Sequence, residues 1–174
     1  MTTLIRPRFD TIPECLTKLR QWILWRKIIR DGKEVKLPWS VYDNPASSTD
    51  PETWHDFECA VIRYDATRHA GIGFVFADGD GFAGVDLDSC RHPESGEIAD
   101  WAKRWIDKAG DCYAEVSPSG TGVKIWVRSE LKLDKGRNWK INEQPMIPGK
   151  KPGVEMYTHG RYFAVTGFIL KGFA

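Results

Sequence analysis

Residues 81–90 read GFAGVDLDSC. Successive side chains alternate in an extended segment, so Val85 and Leu87 point one way while Asp86 and Asp88 share the opposite face. The apolar pair implies a strand with one side in a core. Two carboxylates a pleat apart repel each other, and shielding them from water is costly unless one is protonated or a cation lies between them. The stretch thus carries both a fold expectation and a chemical one.

Immediately upstream, GIGFVF (71–76) and AGVDLD (83–88) flank a Gly/Asp cluster, which predicts a hairpin whose second strand carries the aspartates. Asp78 and Asp80 form a second D-x-D, but among glycines in a turn, where aspartate serves local hydrogen bonding. Further toward the N-terminus, Leu16, Leu19 and Ile23 have near-helical spacing, predicting a helix from about Ile12 to Arg26. It leads into a hairpin at Asp31-Gly32, whose return strand KEVKLPWSVY is assigned to a sheet edge by Pro38. A second helix is expected to start near Pro51, capped by Thr49 or Asp50, with Trp54, Phe57, Val61 and Ile62 on one face.

Downstream, a third helix is expected over about Ile98 to Lys108, burying Ile98, Trp101, Trp105 and Ile106. CYAEV (112–116) and VKIWVR (123–128) read as short strands joined by SPSGTG. The polar stretch from Ser129 to Gly153 has no period and reads as a long loop. VEMYTHGRYFAVTG (154–167) reads as two strands around the turn Thr158-His159-Gly160. The order predicts an α+β protein with a largely antiparallel sheet, an N-terminal αβ module over 1–66 and a sheet module over 67–174.

The chain has 174 residues, is 41% hydrophobic and carries a formal charge of +1, which suits a globular protein with a proper core. No run of about 18 apolar residues and no secretion signal is found, so no membrane span is expected and a cytoplasmic location is. Four scattered cysteines form no CxxC pair and read as reduced bystanders. Cys90 and His92 stand close, but zinc needs four ligands and no second pair is near.

Charge is segregated along the chain. Residues 1–36 hold nine Lys/Arg against four Asp/Glu, residues 124–151 eight against three, and residues 43–116 sixteen acids against six bases. Ordinary solvated faces are one reading. The other is an acidic, cation-dependent centre that meets a polyanion through flanking basic segments.

Paired carboxylates on one strand face bridge hard cations such as Mg²⁺ or Mn²⁺, which prefer oxygen ligands. A third acid completes such a site, and Glu155, between the core-facing Val154 and Met156, is the candidate. In SPSGTGVKIW (117–126) the backbone N–H groups and hydroxyls of a Ser/Gly-rich turn suit an anion. Lys124 follows on the strand, either as a point charge for a phosphate oxygen or as a solvent-facing lysine. Arg161 starts a strand after a tight turn, near Glu155 or simply on the surface.

The ordered set QWILWRK, KLPWSVY, SSTDPETW, GIGFVF, GVDLDSCRHPESGEI, AEVSPSGTGVKIWV and GVEMYTHGRYFAVTG resembles the catalytic domain of phage- and plasmid-encoded primase-polymerases of the archaeo-eukaryotic primase superfamily. The resemblance spans nearly the whole chain. It implies an αβ module on a sheet like the RNA-recognition fold, and template-directed nucleotidyl transfer with two divalent metals. It further implies that Asp86, Asp88 and Glu155 are the catalytic metal ligands. Ser117, Ser119, Gly120, Thr121, Gly122 and Lys124 become the triphosphate turn, with Arg161 a further phosphate contact. At the position of Lys124 the family usually has histidine, so the ring's ability to be neutral or charged near neutral pH is lost while a positive donor is kept.

Expected partners are nucleoside triphosphates and a single-stranded or primed DNA template. By resemblance a helical segment and a helicase commonly follow, so the chain reads as a possible fragment. Template contact is assigned to the basic N-terminal module and to Lys135, Arg137, Trp139 and Lys140, where Trp139 either stacks on bases or pins the loop. Two alternatives stay open: a non-catalytic nucleic-acid-binding or replication-initiator module, and a metal-dependent nuclease.

Overall fold

The computed structural model describes residues 4–173. The described residues form an α+β fold with antiparallel pairing throughout and ten strands in two sheets. One sheet has four strands in the order β2-β1-β3-β9: β1 is Trp22–Arg30, β2 Lys33–Trp39, β3 Gly71–Phe76 and β9 Arg161–Val165. The other has six, in the order β10-β5-β6-β4-β8-β7: β4 is Phe82–Asp88, β5 Cys112–Val116, β6 Val123–Arg128, β7 Arg137–Lys140, β8 Gly153–Tyr157 and β10 Ile169–Lys171. Because β3 and β9 join β1 and β2, backbone ladders cross the 66/67 boundary.

Local chemistry explains several elements. Asp31 and Gly32 have φ of 52° and 72°, the pair of positive values a two-residue turn needs to match strand twist. Strand β2 lies at the sheet edge, where Pro38 has no donor to waste. Leucine spacing near the N-terminus yields only one helical turn, α1 (Glu14–Thr17), in place of the long helix expected. The reason is burial: Trp22, Ile23, Leu24 and Trp25 are all within 1% of fully buried, and a run buried on both sides is met by a strand flanked by β2 and β3.

The second expected helix also starts later. Asp50 caps only a 3₁₀ turn over Pro51–Thr53, accepting from the Glu52 N–H, and His55 then bridges to Trp22 before α2 (Phe57–Ala66) begins. Phe57, Ala60 and Tyr64 form its inner face, while Ile62 is 70% exposed. The third helix, α3, is Asp100–Lys108; Ile98 precedes it as a bridge partner of Arg91. Trp101 is buried there and Trp105 and Ile106 are partly covered.

One expected hairpin does not form: β3 and β4 part into different sheets. β8 and β9, the two strands expected around the Thr158–Gly160 turn, do form, and they too lie in different sheets. Each connection steps from one sheet to the other. Asp80 holds the first by accepting from the N–H groups of Ala77 and Phe82 and from the Gln21 amide, the local role expected of it. The 129–153 stretch is not wholly irregular either, since β7 pairs with β8.

The sheets meet through aromatic rings: Phe76 and Trp126 at 6.3 Å, Phe163 and Trp126 at 5.4 Å, Phe74 and Phe82 at 6.2 Å between centroids. On the far face of the six-stranded sheet Val85, Leu87, Val123, Ile125 and Val154 pack with Trp101 and Ala102 of α3. This confirms the alternation read from GVDLD. No helix among the described residues is long and apolar enough to cross a membrane.

Candidate active site

Antiparallel register aligns one residue from each strand, and paired residues share a face. Across the six-stranded sheet one such row reads Glu115 (β5), Lys124 (β6), Asp86 (β4), Glu155 (β8), Asn138 (β7). The row continues the aromatic face between the sheets. Asp88 lies two residues along β4, opposite Gly153. Of the three acids chosen from sequence, Asp86 and Glu155 are direct cross-strand partners.

Each member of the row is held. Lys124 Nζ donates to Asp86 Oδ2 at 2.5 Å, with side chains 8% and 18% exposed, and sits 4.3 Å from the Phe163 ring centroid. Lys124 is thus neither solvent-facing nor open to a ligand as placed. Asn138 Nδ2 donates to Glu155 Oε1 at 3.2 Å, and the Tyr157 hydroxyl donates to Glu155 Oε2. Glu115 has no exposed surface and accepts from the Tyr113 hydroxyl at 2.7 Å and from the N–H groups of Thr166 and Gly167 at 2.8 Å. Burial pushes its carboxyl up to about 7, against the pull of those donors and of Lys124.

Asp88 is exposed by surface area yet walled by protein. Its pKa is pushed up to about 6, first by desolvation and then by repulsion from Asp86, with Lys124 opposing and Glu155 adding to the rise. Lys36 of β2 has the same character: exposed, but in a crevice that pulls its pKa down to about 8, by desolvation first and then by Lys124, while Asp86 and Asp88 oppose. Lys36 therefore lies within the field of the acidic cluster.

The donor set can be tested against a divalent ion. Oxygen donors with mutual repulsion, raising the Asp88 pKa, fit a hard cation in kind. Among the described residues, however, no three Asp, Glu, His or Cys side chains stand close enough as placed to enclose an ion, and Lys124 supplies the cation that Asp86 has.

The Ser/Gly turn is more inward than expected. Ser117 Oγ accepts from the Gly122 N–H at 3.1 Å, Ser117 O from the Gly120 N–H at 2.8 Å, and Ser119 Oγ contacts Thr121 Oγ1 at 2.8 Å. Gly120 takes φ of 74°, and a Cβ on Gly122 would meet the Leu87 carbonyl oxygen at 2.7 Å, so both glycines are needed for the turn to close on β4. Ser117 and Thr121 are buried and Ser119 is part-exposed.

Arg161 reaches Glu155 only through Tyr157, its guanidinium 5.1 Å from that ring centroid. With Lys135, Arg137, Asn138 and His159 it lines an open groove of about 450 Å³ beside Glu155. Trp139 pairs with Val154, on the helix side of the sheet, and lies 5.6 Å from Trp105 between ring centroids. Of the two roles considered for it, the contact matches the one that pins the segment. Lys140 pairs with Gly153. Cys90 is buried, its Sγ donates to the Leu87 carbonyl oxygen, and burial pushes its thiol up to about 12.

Sequence reasoning missed Lys36, Asn138, Tyr157 and Glu115. A signal existed for Glu115, a charged residue inside the apolar run CYAEV, and for Lys36, polar in alternation with Val35 and Leu37. Which site such residues face depends on sheet pairing.

Fold and site together define an α+β protein with paired acids on adjacent strands of one sheet, Asp86 facing Glu155. No family model matches the chain. It is 30% identical to the DNA primase-polymerase of Nitratiruptor phage NrS-1 over 163 residues, 91% of this chain and 21% of that protein. The chain thus spans about a fifth of that relative's length.

Proposed function

We propose that this chain is the nucleotidyl-transfer domain of a DNA primase-polymerase, adding nucleotides to a DNA-templated strand. The observation that carries the reading is the cross-strand pairing of Asp86 with Glu155, with Asp88 one pleat away, beside a Ser/Gly turn. The named phage relative supports the same activity.

Asp86, Asp88 and Glu155 would hold Mg²⁺ or Mn²⁺. Bound there, such ions would supply activation of a 3′-hydroxyl and neutralisation of charge on the α-phosphate and the leaving pyrophosphate. The chain's own residues do the rest. Asn138 and Tyr157 fix the Glu155 carboxylate in orientation. Lys124, once released from Asp86, presents its ammonium to the incoming triphosphate beside the 117–122 turn, offsetting charge as it develops. The groove with Lys135, Arg137 and Arg161 offers cations to a template or primer backbone, next to the acids.

A non-catalytic nucleic-acid-binding module is the second reading, favoured by the Lys124–Asp86 ion pair that occupies the acids. Labelled-nucleotide incorporation on a primed template with Mn²⁺ or Mg²⁺ separates the two. Metal-dependent extension lost in Asp86→Ala and Asp88→Ala is expected; extension unchanged in both variants refutes the site, and no incorporation alongside DNA binding favours the second reading.

A further inference from the structure

Lys27 and Lys36 are cross-strand partners on β1 and β2, so their side chains leave the same face. Lys36 Nζ lies 5.4 Å from the Trp25 ring centroid, and Lys27 pairs with Glu34 at 2.5 Å. With Ser119 and Lys150 these residues line a crevice of about 130 Å³ between the edge of the four-stranded sheet and the Ser/Gly turn. Three ammonium groups meet one carboxylate there. Among the described residues neither Lys36 nor Lys150 has an ion-pair partner, and Lys36 also feels the charges of Asp86 and Asp88.

We infer that this crevice takes the β- and γ-phosphates of the incoming nucleoside triphosphate, with Lys36 and Lys150 as their cationic contacts. The assignment rests on the nucleotidyl-transfer reading and moves the basic N-terminal strands from template to nucleotide. Ser119 belongs to both the turn and the crevice, so a tail leaving the turn enters directly. The crevice is far below the roughly 300–1,000 Å³ of a small-molecule pocket, which suits phosphates and not a base with its sugar. Ammonium groups bind phosphate oxygens as point charges without demanding a planar fork. A DNA backbone needs an open track, and the groove beside Glu155 supplies one elsewhere.

The test is equilibrium binding of fluorescent dATP to the full chain without primer, in Mg²⁺, with tripolyphosphate, dAMP and single-stranded DNA as separate probes. In Lys36→Ala, and again in Lys150→Ala, the Kd for dATP rises at least about tenfold, the scale of one charge-assisted contact. Tripolyphosphate competes with dATP on the unaltered chain and loses potency in the variants, whereas dAMP and single-stranded DNA affinities stay within about twofold. Melting temperature is unchanged because Lys36 is exposed. Unchanged dATP affinity in both variants, an equal loss of DNA affinity, or no dATP binding by the unaltered chain overturns the inference. A chain that binds dATP through Lys36 yet incorporates nothing refutes the polymerase reading and leaves this one standing.

Discussion

Replacing Lys124 by Met removes the ammonium that sits on Asp86 while keeping the unbranched stem against Phe163. The ion pair is mostly shielded, at 8% and 18% side-chain exposure, with 2.5 Å between Nζ and Oδ2. Removing one partner of a buried pair costs roughly 3–5 kcal/mol, because the other charge is left uncompensated. Residual water access at Asp86 puts the expected loss near the lower end, about 3 kcal/mol. For a chain of this size each kcal/mol moves Tm by about 2–4 °C, so a fall of about 6–12 °C is expected in metal-free buffer. The variant then presents Asp86 beside Glu155 and Asp88 without its ion-pair partner. Saturating Mg²⁺ should return much of the loss, since a ligand at a hundred times its Kd stabilises by about 2.7 kcal/mol. Urea unfolding with EDTA and with Mg²⁺ reads both effects, and Asp86→Asn added to Lys124→Met should restore metal-free stability and reduce the Mg²⁺ response. A Lys124→Met protein within about 1 kcal/mol of the unaltered chain in EDTA, or one indifferent to Mg²⁺, refutes the reasoning.

Gly84→Ala is expected to cost about 3 kcal/mol in urea unfolding, because a Cβ there would meet Phe163 at 2.7 Å and Phe76 closer still, where the sheets touch. Glu115, raised from an ordinary 4.5 to about 7, holds more protons folded than unfolded across that interval, so its contribution to stability falls as pH rises through it. Glu115→Gln should flatten that part of the stability–pH curve, and an unaltered slope contradicts the burial argument. Trp139→Ala should leave single-stranded DNA affinity within about twofold at every salt concentration, since its ring lies against Trp105. Arg161→Ala should weaken DNA binding uniformly and reduce the salt slope by about 1; the opposite pattern would place bases on Trp139.

What the amino-acid sequence determined by itself was local and periodic. Alternation in GVDLD and GVEMY put Asp86, Asp88 and Glu155 on one face and Val85, Leu87 and Val154 in the core, because a strand's pleat has a period of two whatever its neighbours. Asp31-Gly32 specified its turn through backbone conformations that few other residues adopt, and Pro38 marked an edge because it has no donor. Partner choice was decided only in three dimensions. GIGFVF and AGVDLD look like a hairpin from either side of ADGDG, yet their aromatic and apolar faces are better buried in separate sheets that close on one another. Leu16, Leu19 and Ile23 match a helix, but a run buried on both sides at Trp22–Trp25 is satisfied by neighbouring strands, and burial outweighs a weak propensity. The same long-range pairing aligned Glu115, Lys124, Asp86, Glu155 and Asn138 from five strands into one row, and brought Lys36 to the aspartates from fifty residues away in sequence. Register between distant strands is set by the total burial of the folded chain, a quantity no local window of sequence contains.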